Sequence, residues 1–241
     1  TGRYTYAEPY RHTGETVGGN VNAADSGSVT YTHDAVGNRL TRTSALAKVP
    51  SASHTYDAND RLTTGGYDQN GNTVSSGGNS YSYDFEDRLK EYNGGAVSIT
   101  YDGDGNRVSK TAGGVTTSYL VDNNNPTGLA VVVEELVGGT VRQVYTCGHS
   151  LISQRQVRGG DHEVRFYGYD GHGSVRLLTD ARGAVTDTYT YDGFGLLLAR
   201  SGETPNRYLY AGEQSDEDLG FYYLRARNLS PSTRRFWTFH L

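Results

Sequence analysis

Three short stretches carry residue types that could do chemistry. Asp102-Gly103-Asp104-Gly105-Asn106 places oxygen donors at alternate positions, as the opening of a calcium loop does. That loop would need Gly one place later and Glu at its twelfth position; the chain has Arg107 and Gly113, so turn chemistry is the better reading. Gly148-His149-Ser150-Leu151-Ile152 approaches the Gly-x-Ser-x-Gly elbow that presents a nucleophilic serine, but it lacks the last glycine and the following helix. Gly171-His172-Gly173 lacks the third glycine and the helix of a phosphate-binding loop. None of the seven histidines has another His or Cys at zinc-ligand spacing. The single cysteine, Cys147, excludes an internal disulfide and reads as a small packed residue of the strand-like run 140–147. These patterns assign no catalytic, cofactor-binding or metal-binding residue, and the chain is expected to have no enzymatic activity and no cofactor.

One local feature points to contact rather than catalysis. Arg225, Arg227, Arg234 and Arg235 flank Phe236-Trp237-Thr238-Phe239, which contains the sole Trp. Either these aromatics close the end of a sheet in register with Phe221 and Tyr223, or they form a plug for a neighbouring segment or partner. Arg225, Arg227, Phe236, Trp237 and Phe239 are the candidate interaction residues.

The elements that would position all these groups are set by a returning tyrosine–aspartate pair. It appears as Tyr56-Asp57, Tyr83-Asp84, Tyr101-Asp102, Tyr169-Asp170 and Tyr191-Asp192, with Tyr67-Asp68 and a His33-Asp34 variant. Within six residues most copies reach Gly-Asn or Asp, then Arg and an aliphatic residue, as in Gly105-Asn106-Arg107-Val108 and Asp87-Arg88-Leu89. Tyr favours strands and packs its ring on a sheet face. Asp ends the strand by accepting backbone N–H groups, and Gly, Asn or Asp tolerates the positive φ of a tight turn. The returning strand is expected to put Arg on one face and the aliphatic residue on the other. Each unit is therefore strand, turn, strand. Successive Asp residues of the set lie 11 to 68 residues apart, too irregular for a short-period β-helix. The chain reads as all-β, a long curved antiparallel sheet of consecutive hairpins.

Organisation divides at Asp122-Asn123-Asn124-Asn125-Pro126-Thr127-Gly128, a dense cluster of turn formers. Residues 1–121 are expected to hold the repeat hairpins after an irregular lead-in over 1–30. Residues 122–241 are expected to form a second β region whose hairpins turn at Gly138-Gly139 and Gly159-Gly160-Asp161. Only 35% of the 241 residues are hydrophobic, and the twenty tyrosines must supply much of the buried area. A formal net charge of −5 with thinly spread Lys and Arg argues against a nucleic-acid partner. No apolar run reaches the length of a membrane span, and no signal peptide is present. The chain has no Met and opens on Thr1, so it is expected to be a processed or excised piece of something longer.

These residues resemble the Rhs/YD-repeat proteins, and the second half is similar to their repeat-associated core. The resemblance rests on three ordered motifs: Tyr169-Asp170-Gly171-His172-Gly173-Ser174-Val175-Arg176, the run 184–195 ending Tyr191-Asp192-Gly193-Phe194-Gly195, and Tyr210-Ala211-Gly212-Glu213-Gln214 leading to 219–227. It extends from about residue 30 to the end. It implies a β-strip spiralling into a hollow shell that, in bacterial toxins, holds a C-terminal toxin; many members cut themselves with an aspartate-based autoprotease. The chain departs from that pattern at the cleavage motif, where Ser230 stands for the Asp and Arg234 for the Gly, and Gln214 stands where many members carry Arg. The family's second Asp would lie beyond Leu241. A serine cannot share a proton with a carboxylate as an aspartic dyad does, so self-cleavage is not expected.

The leading expectation is thus a non-catalytic shell segment, secreted or at a bacterial cell surface, that sequesters a toxin polypeptide and pairs with other shell segments. The alternatives are a surface adhesion or carbohydrate-binding module and, third, a self-cleaving core.

Overall fold

The computed structural model describes residues 2–8, 11–18, 26–158 and 161–238. Among them every regular element is a strand, apart from two short 3-10 turns. The chain forms two compact units, Thr1–Gly66 with Tyr189–Arg200, and Tyr67–Thr188 with Ser201–Leu241.

The first unit carries β1 (Gly2–Ala7), β2 (Arg11–Val17), β3 (Gly27–His33), β4 (Arg39–Ser44) and β5 (Ala52–Ser53), antiparallel and in sequence order. β1 and β2 replace the expected irregular lead-in, because Arg3-Tyr4-Thr5-Tyr6 alternates with the period of a strand and finds Thr16, Glu15, Gly14 and His12 as partners. Val17, Val29, Tyr31, Leu46, Val49 and Leu198 form its core.

The larger sheet has fourteen strands, each antiparallel to the next in the chain. They are β6 (Gly66–Tyr67), β7 (Thr73–Ser76), β8 (Asn79–Tyr83), β9 (Leu89–Tyr92), β10 (Val97–Tyr101), β11 (Arg107–Ala112) and β12 (Val115–Asp122), then β13 (Val131–Val137), β14 (Thr140–Cys147), β15 (Leu151–Arg158), β16 (Asp161–Tyr169), β17 (Val175–Thr179), β18 (Val185–Tyr191) and β19 (Leu197–Ser201). The second unit adds a four-stranded sheet of β20 (Gln214–Asp216), β21 (Phe221–Leu224), β22 (Arg227–Ser230) and β23 (Arg235–Phe236). Tyr81, Leu89, Val97 and Ile99 of the long ladder share one core with Leu219, Phe221 and Trp237.

The turns explain the repeat residue by residue. Asp102 Oδ1 accepts the N–H of Asp104 at 3.0 Å and of Asn106 at 2.8 Å, and Oδ2 accepts Asn106 Nδ2 at 3.1 Å. Asp34 and Asp68 are clamped the same way by Asn38 and Asn72, while Asp57 and Asp84 use the Nε of Arg61 and Arg88. The residue before the clamp is left-handed, Gly105 at φ +83°, Asp87 at +60° and Asp60 at +59°. In Asp57 the N–H of Arg61 leads the effects that hold the carboxyl below its ordinary range. In Asp84 and Asp102 burial pushes the carboxyl up, but the turn's hydrogen bonds prevail and hold it below that range.

The position five residues after each of these Asp residues points into the protein. Leu62 and Leu89 fill it when Arg is the clamp; when Asn is the clamp it holds Arg39, Thr73 or Arg107. Arg39 and Arg107 are therefore buried while Leu40 and Val108 are only half-buried, the reverse of what Leu89 with Arg88 shows. The repeat tyrosines have a common bond as well. The hydroxyls of Tyr56, Tyr83, Tyr101 and Tyr169 donate to the carbonyls of Arg39, Thr73, Leu89 and Leu151, each at the start of an earlier strand. A bulge sits directly at Tyr83, Tyr101 and Tyr169, which bends the strand and increases its twist. Tyr101→Phe is expected to cost about 1–2 kcal/mol in urea unfolding, since it strands the carbonyl of Leu89.

β1 is exposed along its whole length, and among the described residues it pairs on one side only. Such an edge recruits other strands. At high concentration the chain is expected to scatter light as a particle larger than 26.2 kDa; a monodisperse monomer would contradict this.

Candidate functional site: the polar face under the returning segment

One face of β11–β15 is buried yet polar, carrying Arg107, Lys110, Glu135, Gln143, Gln154 and Gln156. Buried polar groups need partners, and the chain returning after β19 supplies them. Gln154 Nε2 and Gln156 Nε2 donate to the carbonyl of Pro205 at 3.0 and 3.2 Å. Glu135 accepts Tyr145 Oη at 2.8 Å and Arg207 Nε at 3.0 Å. Thr204 donates through N and Oγ1 to buried Asp187 at 2.9 and 2.7 Å.

The tightest knot joins β11 to β20. Arg107 Nη1 lies 2.8 Å from Asp216 Oδ2 and its Nη2 donates to Gln214 Oε1 at 2.7 Å. Lys110 Nζ lies 2.7 Å from Asp216 Oδ1 and also reaches Asp218. The Arg107 guanidinium sits 4.1 Å from the Tyr223 ring centre and 5.1 Å from that of Tyr119. Burial alone would raise the Asp216 carboxyl, but Arg107 and Lys110 outweigh it and hold it below its usual range. The geometry binds one segment firmly to another.

Beside this knot lies a cavity of about 450 Å³. Two of the three core motifs reach it: the first through Tyr169 and Gly173, the third through Ala211 to Gln214 and then Tyr223 and Arg225. Ala211 and Arg225 hold left-handed φ of +54° and +59°, and Arg225 Nη2 bonds Glu213 Oε1 at 2.7 Å. Cys147 lines the same cavity, its thiol raised by burial above the ordinary range. Among the described residues no group of three or more His, Cys, Asp or Glu could hold a metal ion.

The candidate interaction residues separate. Trp237 is buried, with its ring centre 5.0 Å from Phe221 and 5.6 Å from Tyr81, and its carbonyl accepts the N–H of Thr73 at 3.0 Å. Arg227 lies 3.6 Å from the ring centre of Phe236, which is partly exposed. Phe239 lies outside the described residues. Asp57, Asp84, Asp102, Asp170 and Asp192 all sit in turns, Asp192 buried so that its carboxyl is raised despite bonds from Phe194 and Leu196. Ser230 is buried in β22 with its Oγ 3.0 Å from Ser232 Oγ. Asp216 and Glu135 carry no signal in the sequence analysis, and Gln214 figures there only as a departure from the family pattern. Arg107 meets Asp216 across 109 positions, and the one available signal was a charged residue at a strand position that should face inward.

Comparison with known proteins locates this architecture. The structure of the Photorhabdus luminescens Tc holotoxin pore, with its TccC3 mutation, matches over 100% of this chain with a TM-score of 0.76 at 16% identity. The crystal structure of TcdB2-TccC3-Cdc42 matches over 98% with a TM-score of 0.73 at 17% identity. The chain has an Rhs-like toxin-shell fold. It covers 14% of each of those chains. In sequence, the tRNA nuclease WapA of Bacillus subtilis strain 168 is 34% identical over 223 residues, 86% of this chain. The tRNA(Glu)-specific nuclease WapA of Bacillus subtilis subsp. natto is 35% identical over 173 residues, 68% of this chain. The chain spans 9% and 7% of those two proteins' lengths. No protein-family model matches it.

These relatives correct one expectation. The sequence analysis expects no enzymatic activity of this chain, whereas the curated relatives are named tRNA nucleases and point to an enzymatic toxin activity. The difference has a physical source: the relatives' activity is named for proteins of which this chain spans 9% and 7%. The net charge of −5 likewise describes this chain alone.

Proposed function

We propose that this stretch forms part of the wall of the shell of an enzymatic Rhs-type toxin, enclosing toxin polypeptide and pairing through its strand edges with further shell segments. The toxin proposed is a tRNA nuclease, the activity that the relatives' names give, and its place is outside the bacterial cell or at its surface. The observation that carries the reading is the uninterrupted antiparallel ladder of fourteen strands, on whose buried polar face the returning segment is fixed by Arg107, Lys110 and Asp216. A wall of this kind satisfies its backbone groups strand by strand and needs open edges only where the next segment joins. The tyrosines favour enclosure over sugar binding, because the hydroxyls of Tyr56, Tyr83, Tyr101 and Tyr169 are already committed to protein carbonyls.

The test is protease protection in the full-length protein that carries this stretch. The toxin region is expected to survive proteinase K under native conditions and to be digested at once after denaturation. Equal digestion before and after denaturation would end the proposal.

A further inference from the structure

The cavity beside the closing sheet has a chemistry that wall-building does not use. One side is apolar, built from Leu129, Ala130, Val131 and Val132 at the entry to β13 and from Leu151 of β15. Tyr169, Tyr208 and Tyr223 line the cavity as well. At about 450 Å³ it falls within the size range of small-molecule sites, which pair an apolar lining with a few directed polar groups.

Its charged groups select the ligand. Glu213 gives Oε1 to Arg225, leaving Oε2 with no hydrogen bond among the described residues. Burial raises the Glu213 carboxyl in spite of Arg225, so the group is short of donors. Burial first, then Glu135 and to a lesser extent Glu213, push the Tyr208 hydroxyl above its ordinary range, and the described residues give it no hydrogen bond. An anion entering here meets a guanidinium already committed to Glu213. A cation meets the second carboxylate oxygen and aromatic faces that attract positive charge. Arg225 has 35% of its side chain exposed and can turn toward solvent as a ligand ammonium arrives.

We propose that this cavity binds a small arylalkylamine, with its ring among Tyr169, Tyr208 and Tyr223 against Leu129 and Val131, and its ammonium at Glu213. The site stands independently of the shell reading, since it needs only the second unit's own residues.

Cys147, the sole cysteine, lines the cavity and reports its occupancy. The probe is 2-phenylethylamine, with 3-phenylpropionate as a ligand of matching ring and length but opposite charge. Saturation-transfer NMR on the whole chain should show contact with the amine. At nine times its dissociation constant the amine should slow N-ethylmaleimide alkylation of Cys147 about tenfold, because only the empty fraction reacts. The carboxylate should not protect. Glu213→Gln should abolish protection by the amine while leaving the fold intact, and Ala130→Trp, on the cavity wall, should block the amine by volume. Absence of saturation transfer, equal protection by 3-phenylpropionate, or full protection by the amine in Glu213→Gln would each overturn the proposal.

Discussion

Asp216→Ala is expected to cost the second unit about 3–5 kcal/mol of unfolding free energy, the largest effect of any single polar substitution in this chain. Asp216 is 2% exposed, and its two oxygens neutralise Arg107 and Lys110, which are 3% and 4% exposed. Removing the carboxylate leaves two buried cations, and only Gln214 and half-exposed Asp218 stay to receive them. The magnitude comes from that uncompensated charge, not from the intrinsic worth of an ion pair. Replacing Lys90, whose pairing with Glu91 is at 4.0 Å and well exposed, should change stability by less than about 1 kcal/mol. Because the folded Asp216 carboxyl lies below its unfolded value of 3.8, its contribution is complete above that pH and is lost as pH falls toward the lower folded value. Urea unfolding of wild type and Asp216→Ala should therefore differ at pH 7 and converge in strong acid. A gap that is absent at pH 7, or that widens on acidification, would contradict the assignment.

Trp237→Ala is expected to cost about 3–5 kcal/mol as well, by a different route. Trp237 is 5% exposed and packs in one core with Tyr81, Leu89, Val97, Ile99, Leu219 and Phe221. Truncation leaves a cavity walled by β8–β10 on one side and β21 on the other, which backbone bonds from Trp237 to Thr73 and Asn228 prevent from collapsing. The loss should appear as a lower denaturation midpoint and as earlier proteolysis of the 73–101 hairpins. Unchanged stability would remove both readings of the aromatic tail, sheet closure and docking plug alike. Phe236→Ala, at an exposed ring covered on one face by Arg227, should cost far less.

How much of this was legible in the sequence follows from the distance over which each interaction acts. The hairpins were legible because turn chemistry is local: Asp102, Gly105 and Asn106 meet within five residues. Even there the tyrosine was given too much weight. Asp180 makes the same turn, with bonds from Arg182 and Ala184 and Gly183 at φ +82°, yet Thr179 precedes it. The defining features are the Asp, the left-handed residue three places on and the backbone N–H four places on that the carboxylate accepts. Arg39 and Arg107 face inward because Asn38 and Asn106 take the clamp position, which moves Arg one place on to the inward-facing fifth position, and a move of one reverses the face of a strand. The polar face was not legible at all. Glu135 meets Arg207 across 72 residues and Lys110 meets Asp216 across 106, separations at which no spacing rule operates. The cavity is illegible for the same reason, since it forms only where the motifs at 169–176 and 210–227 meet residues 127–132 and 147–151.

Electron cryomicroscopy of the full-length protein tests the central claim most directly. The account predicts a hollow particle in which residues 67–188 form one continuous stretch of wall, with density for enclosed polypeptide on its inner side. A solid particle, or a chain in which this ladder stands free with nothing enclosed, would contradict it.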